Sequence, residues 1–373
     1  MMSVKAESKT VVVLGGGVLG VSTALQLAKR GATVTLVTEA ELCSGASGRS
    51  LSWLNSAGER SLEYHALRMA GIDRYRTLFA QDPTRDWLRF DGGLFWPAND
   101  AAGTYARHAY EKAHGYDSQL IDARSVATVD AHVNAQALAE TAIYNPGEGW
   151  VSLPHLIEFL TQQLRALDVN IVEHAGKAGV ITEGQRACGI RSEKAGEFRA
   201  DAVLVACGPW TPDVVAPLGV NIPNGSPVSM LVTSKPGAQG LKVVMNTPRA
   251  AVRPDPGGRL AVDHDWYEED IVKQADGSYT IAENVVQTLM QEAGKLLASH
   301  EPPEAQSWKL GPKPIPGDGN PVLGELEKVP GCFVAFTHSG ATLALIVGEL
   351  LAEEIVSGEK HPMLTTFRAE RFG

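Results

Sequence analysis

Apolar residues recur along this chain with two periods, and each change of period marks a new element. Val11–Leu14 is a short continuous apolar run, suited to a strand buried on both faces. The amphipathic stretch after Gly20 reads as a helix, and β-branched Thr33–Val37 as a second strand. Helical spacing returns over Leu62–Ala80, Tyr105–Tyr116 and Pro154–Leu167, the last with Pro154 in its first turn. Leu88–Pro97 predicts a hairpin about Asp91-Gly92-Gly93, and Tyr144–Trp150 a turn-rich boundary. Short strands are expected at Asn170–His174, Gly179–Thr182 and Ala187–Ser192. Ala202–Cys207 is again wholly apolar, as a buried parallel strand requires.

From Ile222 the texture changes. Val228–Ser234, Val243–Asn246, Ala250–Arg253 and Arg259–Asp263, separated by Pro and Gly, predict antiparallel strands, and Val285–Ser299 predicts a helix. Gly311–Gly324 holds too many Pro and Gly for a helix and reads as an ordered loop. Cys332–Phe336 then predicts a strand and Gly340–Ser357 a long helix. The expected fold class is α/β. A Rossmann-like domain, discontinuous in sequence (1–85, 147–222 and 305–373), is interrupted by a mixed antiparallel-sheet substrate domain (86–146 and 223–304).

The first two strands carry chemistry. Gly15-x-Gly17-x-x-Gly20 lies between the strand and the helix, and Glu39 ends the second strand, 19 residues after Gly20. Gly15 permits the sharp turn, Gly17 lets a pyrophosphate approach the backbone, and Gly20 lets helix and strand pack closely. The helix start, Val18-Leu19, offers free N–H groups and a partial positive charge to phosphate. A carboxylate at the Glu39 position accepts bonds from ribose hydroxyls and repels a 2′-phosphate. The unit fits NAD or FAD.

Composition narrows the partners. The chain has 373 residues, 44% of them hydrophobic, enough for two cores. Lys and Arg number 33 against 43 Asp and Glu, a net charge of −10 that argues against nucleic acid or an anionic membrane. Cys43, Cys188, Cys207 and Cys332 show no metal spacing, so no metal site is expected and reduced thiols in a cytoplasmic protein are. The short polar start MMSVKAESK is not a signal peptide, and no apolar run reaches membrane-spanning length.

Four motifs in order give the chain its likeness: Gly15–Glu39; Ser44-Gly-Ala-Ser-Gly-Arg-Ser50; Leu204-Val-Ala-Cys-Gly-Pro-Trp210; and Lys313-Pro-Ile-Pro-Gly-Asp-Gly-Asn-Pro-Val-Leu-Gly324 followed by Thr337-His-Ser-Gly-Ala-Thr-Leu343. Together they resemble the D-amino-acid oxidase superfamily of FAD-dependent oxidoreductases, which includes glycine oxidase, sarcosine oxidase and D-amino-acid dehydrogenase. The resemblance implies FAD and oxidation of an amine or amino acid at its C–N bond. Hydride passes to flavin N5, and the imine then hydrolyses. It implies cofactor contacts along Ser44, Ser47, Gly48, Arg49 and Ser50, at Gly208 and Trp210, and at His338, Ser339, Gly340, Ala341 and Thr342. Lys177, beyond the third strand, completes the cofactor-side candidates. The cysteine that carries flavin covalently in some relatives is missing from Trp308–Pro312, so FAD is expected to be non-covalent.

Substrate-side candidates follow from charge and aromaticity. Lys313 stands where the family carries a carboxylate-binding arginine, and a lysine lacks the bidentate fork. Arg253 is either an anion anchor or a strand charge. His264, Trp266 and Tyr267 are either an amine pocket or seam packing. His338 is expected near the flavin ring, and Trp53 and Asn55 near its reactive edge. The expected partners are a small amine or amino acid and O2 or another electron acceptor. Two other readings fit the first motif: an NAD-dependent dehydrogenase, and a flavoprotein electron-transfer subunit of a larger complex.

Overall fold

The computed structural model describes residues 8–98, 100–138, 141–237 and 240–373. Most of the polar N-terminal segment lies outside the described residues. The chain divides into two compact units: the described residues of Met1–Gly48 with Leu153–Pro227 and Pro312–Gly373, and Arg49–Ser152 with Val228–Gly311.

The first unit is built on a six-stranded sheet. Its order is Val322–Glu325, Cys332–Phe336, Ala202–Val205, Thr10–Leu14, Thr33–Val37, Asn170–Val172. All neighbours run parallel except the first pair, an antiparallel hairpin. The two central strands, Thr10–Leu14 and Ala202–Val205, are almost wholly buried, which explains their unbroken apolar sequence. Successive strands first step outward from Thr10–Leu14 through Thr33–Val37 to Asn170–Val172, and the chain then returns to the other side with Ala202–Val205. The strand order therefore reverses beside Thr10–Leu14, where α/β sheets bind ligands at their carboxyl ends. The helix Val18–Lys29 lies against the sheet. The last helix, Gly340–Ser357, crosses it so closely that a Cβ on Gly348 would stand 2.4 Å from Ser22 Oγ. A small antiparallel meander (Ala178–Glu183, Arg186–Ser192, Gly196–Arg199) completes the unit.

The second unit centres on an eight-stranded mixed sheet. Its order is Ala305–Pro312, Val228–Ser234, Arg259–Asp263, Ala251–Asp255, Val244–Asn246, Gly93–Phe95, Thr141–Asn145, Gln119–Asp122. Alternation gives it two unlike faces. One is apolar: Leu94, Ala142, Met245, Val252 and Val262 form a core with Val286, Leu289 and Met290 of the helix Glu283–Lys295. The other carries Gly93, Asn145 and Arg253, each one residue out of step with that core.

Three expectations change. Leu88–Arg89 and Gly93–Phe95 are not hairpin partners: the first pairs with Gly149–Val151 and the second with Thr141–Asn145 and Val244–Asn246. The helix expected from Tyr105 starts at Ala101, because Asp100 accepts the Gly103 N–H at 2.8 Å and caps it. Finally, the Leu62–Gln81 helix belongs with the second unit, so the first boundary falls at Gly48 and not at 85. Its tertiary bonds explain this: His65 Nδ1 meets Ser56 Oγ at 2.8 Å, Arg68 reaches Asn55 O at 2.8 Å and Arg76 reaches Gly147 O at 2.7 Å.

Candidate functional site

The first unit presents a glycine cradle where its strand order reverses. Gly15 leaves the strand at φ +121°, with its N–H on Val37 O at 2.8 Å. A Cβ there would stand 2.2 Å from Ala206 O, across the reversal point, so only glycine fits. On Gly20 a Cβ would lie 2.0 Å from Gly15 O, which is the close helix–strand approach the motif calls for. Gly17 has ordinary extended backbone, and its Cβ would meet only Ser47 Oγ, at 3.3 Å. What Gly17 keeps open is therefore space for an incoming group.

The helix end behind this space is polarised. Val21 is the first residue bonded back into the helix, to Gly17 O at 3.0 Å, so the N–H groups before it face outward. Ser47 Oγ accepts the Val18 N–H at 3.0 Å. Its own proton remains to be donated onward. Ser47 is held by a tight turn: Cys43 sits at φ +65° with its N–H on Gly16 O at 3.0 Å, and a Cβ on Gly48 would be 2.2 Å from Cys43 O. Glu39 is exposed at the end of its strand. Burial, and after it the Glu39 charge, push the Cys207 thiol up to about 12. The carboxylate thus lies within electrostatic reach of the cradle's far wall.

Other cofactor-side candidates take varied positions. Ser44 is exposed, and Gly208 sits at φ +56° with open space where a Cβ would be. Trp210 is 45% exposed and so is not core packing. Lys177 is exposed, and its N–H is on Glu193 Oε2 at 3.1 Å. His338 is exposed, whereas Ser339 and Thr342 are buried at the start of the last helix and Ala341 is half-buried. A Cβ on Gly340 meets nothing within 4 Å, so this second helix N-terminus also opens onto free space. The loop before it is ordered. Lys313 N bonds Pro227 O at 2.8 Å, Gly317 N bonds Pro223 O at 2.8 Å, and Arg371 grips Asp318 through two nitrogens.

In the second unit, Arg49 lies against the Gly311 backbone, where a Cβ would be 2.4 Å from its Cζ. Ser50 Oγ accepts the Ser52 N–H at 3.1 Å, with Ser52 at φ +56°. The polar face of the eight-stranded sheet holds a buried network. Glu148, fully buried, accepts Trp53 Nε1 at 2.7 Å and Tyr116 OH at 2.6 Å. Burial, and less strongly the nearby Glu111 charge, push its carboxyl up to about 8 against the pull of the Tyr116 bond. Asn145, in register with Gly93, is 1% exposed, and neither amide atom has a partner. Trp150 Nε1 is likewise buried without one.

Substrate-side candidates are corrected by this geometry. Arg253 is 2% exposed; it donates to Leu51 O, to Pro254 O at 2.6 Å and to Asp255 Oδ1 at 2.7 Å, with its guanidinium 5.2 Å above the Trp150 ring. It is therefore not a surface charge, and its Nε and Nη1 are committed within the second unit. Tyr267 belongs to the apolar core, its hydroxyl 2.7 Å from Asp263 Oδ1 and 2.8 Å from Met230 O. His264 is spent on Thr247 O at 3.2 Å and Asp265 at 2.7 Å, and Trp266 stacks under Arg249 at 4.3 Å. Trp53 and Asn55 come together with Glu148, Tyr116 and Asn145, three residues sequence reasoning passed over. A carboxylate inside a Gly-rich turn gave no signal beyond its two flanking glycines.

Comparison with known proteins agrees with the cradle. A family model described as FAD dependent oxidoreductase matches residues 10–354. Glycine oxidase of Geobacillus kaustophilus is 25% identical over 97% of this chain and 96% of its own length. Mitochondrial sarcosine dehydrogenase of Mus musculus is 24% identical over 98% of this chain, which spans 42% of that longer protein. Among solved structures, L-amino acid deaminase from Proteus myxofaciens superposes with a TM-score of 0.83 at 18% identity, over 99% of this chain and 94% of that one. The chain belongs to the FAD-dependent oxidoreductase family, and it is an FAD enzyme. No helix among the described residues is long and apolar enough to cross a membrane, and no group of His, Cys, Asp and Glu among them is arranged to hold a metal.

Proposed function

We propose that this enzyme oxidises the C–N bond of a small carboxylated amine, with FAD held non-covalently. The observation that carries the reading is the glycine cradle at the strand-order reversal in a chain whose family match runs through both units. Bound FAD supplies the two-electron acceptor. The chain's own residues bind and orient. The Val18 helix end and the Ser47 hydroxyl hold the pyrophosphate, and Glu39 takes the ribose hydroxyls. The N-terminus of the Gly340–Ser357 helix offers partial positive charge to the negative charge that develops on reduction. Lys313 attracts the substrate carboxylate as a point charge, so the geometry is looser than an arginine fork imposes. The amine would give up two electrons and its C–H proton as hydride to that acceptor and its N–H proton to water, and the imine so formed takes up water and splits into a carbonyl compound and the released amine or ammonia.

Non-covalent attachment is supported by the cysteines. Burial pushes Cys332, like Cys207, up to about 12, leaving both poor nucleophiles. None of the four is in a disulfide, which supports a reducing, cytoplasmic setting. The electron acceptor is O2 or a second redox partner. The test is anaerobic mixing of the FAD-loaded protein with glycine, sarcosine, D- and L-alanine, L-proline and iminodiacetate. Bleaching of the flavin band by at least one is expected, and no bleaching by any overturns the reading. Admission of air then separates oxidase from dehydrogenase by the rate of reoxidation.

A further inference from the structure

Within the first unit, the loop 313–321 runs along the carboxyl end of the six-stranded sheet. Its first half forms a narrow ribbon with residues 223–227: Lys313 N bonds Pro227 O, Gly225 N bonds Ile315 O and Gly317 N bonds Pro223 O, each at 2.8 Å. Asn224, bridged to Pro316, donates its amide to Pro209 O at 2.8 Å. Pro209 follows closely on Ala206, whose carbonyl closes on Gly15. The ribbon is thereby moored beside the cradle. At its other end the loop enters Val322–Glu325, where Val322 pairs with Phe336. That register brings Asn320 and Pro321 alongside Thr337 and His338, at the approach to the last helix.

Between those moorings one side chain holds the loop. Arg371 donates Nε to Asp318 Oδ2 at 2.8 Å and Nη2 to Asp318 Oδ1 at 3.1 Å, a bidentate fork, and Nη2 also to Asn320 O at 3.0 Å. Among the described residues, the other hydrogen bonds of Asp318, Gly319 and Asn320 stay within the loop. Arg371 is fixed in turn: its Nη1 donates to Arg368 O at 3.1 Å, and Arg368 is paired with Glu354 of the last helix. The end of the chain therefore ties the last helix to this loop. The Arg371 and Asp318 side chains are 21% and 35% exposed, so parting them strands no buried charge and costs the fold little.

We propose that Arg371 is a positioning residue of the FAD site: through Asp318 and Asn320 it latches the loop 313–321 along the cofactor edge of the first unit and so slows release of bound FAD. The proposal rests on the glycine cradle being the FAD site, and not on which substrate is oxidised. Carboxyl ends of strands at a reversal of strand order are where such sheets hold ligands, and this loop borders that end. A latch of this kind acts on the loaded state, so it changes how long FAD stays and not how fast it enters.

The experiment compares wild type, R371Q, D318N, the double variant and, as a control, K360Q. Lys360 and Glu327 form an exposed ion pair at 2.7 Å that lies outside the loop. FAD itself is the probe: flavin fluorescence follows its association with the FAD-free protein and its release from the loaded protein after dilution. R371Q and D318N are each expected to release FAD about fivefold faster, the scale of one well-formed and partly exposed ion pair, with the association rate and the thermal unfolding of the FAD-free protein nearly unchanged. Asparagine at 318 still offers Oδ1 to the Asn320 N–H, 3.0 Å away, so the loop keeps its own turn. The double variant should release FAD no faster than the singles, because both remove one contact. K360Q should match wild type. Unchanged release in either single variant overturns the proposal, as do effects that multiply in the double or a K360Q as fast as R371Q. Should R371Q fail to fold, D318N, which breaks the same pair from the loop side, decides alone. Gly17→Ala keeps the two failures apart: FAD binding unaltered by it overturns the cradle reading, while release from R371Q and D318N still judges the latch.

Discussion

Gly15 and Gly17 belong to one motif but answer to different forces. Gly15 is required by the fold itself: its φ of +121° and the 2.2 Å approach to Ala206 O exclude any side chain. The fold does not require Gly17, since its own backbone is ordinary and a Cβ meets only a hydroxyl 3.3 Å away. The two substitutions should therefore separate. Gly15→Ala is expected to destabilise the protein without cofactor by about 2 kcal/mol or more. Gly17→Ala should leave that stability nearly unchanged while weakening FAD about tenfold, by crowding the pyrophosphate. Thermal unfolding of the protein without FAD, set beside titration with FAD followed by flavin fluorescence, checks both. Equal effects of the two on unfolding would refute the distinction. Both glycines were legible in the sequence because the motif carries its own steric logic. Glu148 was not, because its burial comes from strands and helices distant in sequence.

Among elements, the last helix shows how a buried ion pair can tie down a terminus. Arg368, in the C-terminal turns, meets Glu354 through both terminal nitrogens, one at 2.9 Å from Oε2. Glu354 also accepts the His361 N–H at 2.5 Å, and a Cβ on Gly324 would stand 1.7 Å from Arg368 Nη1. Both partners are buried. Removing Arg368 leaves a buried carboxylate uncompensated, so Arg368→Leu is expected to lose about 3–5 kcal/mol in denaturant unfolding. Adding Glu354→Leu should recover much of that loss, because the stranded charge goes with it. No recovery in the double variant would show that packing, and not charge, is responsible. At this scale the long periodic segments were readable: the helices near 62–81, 153–166 and 340–357, and the strands of the first sheet. Leu88–Arg89 and Gly93–Phe95 were not, because a turn signal cannot say that two adjacent strands join different sheets.

Across the whole molecule, proton linkage gives a further expectation. The Glu148 carboxyl titrates near 4.5 when unfolded and is pushed up to about 8 by burial, with Glu111, Arg107, Tyr116 and Trp53 facing it. Between those values the native state holds a proton that the unfolded chain has lost, so this group's contribution falls as pH rises from about 4.5 to 8. Glu148→Gln removes the titration and should flatten that decline in unfolding free energy between pH 5 and 8. An unaltered slope would mean that Glu148 is ionised in the native state. The sequence by itself determined a dinucleotide unit that fits NAD or FAD, the alternation of α/β and antiparallel segments, and the positions of the cradle residues. These depend on spacing along the chain and on local backbone sterics. Only the tertiary structure decided that Arg253 and Tyr267 are buried and hydrogen-bonded within the second unit, that the Leu62–Gln81 helix belongs to that unit, and that Trp53 is held by Glu148. Those assignments depend on which residues desolvate one another, and desolvation is set by contacts between segments far apart in sequence.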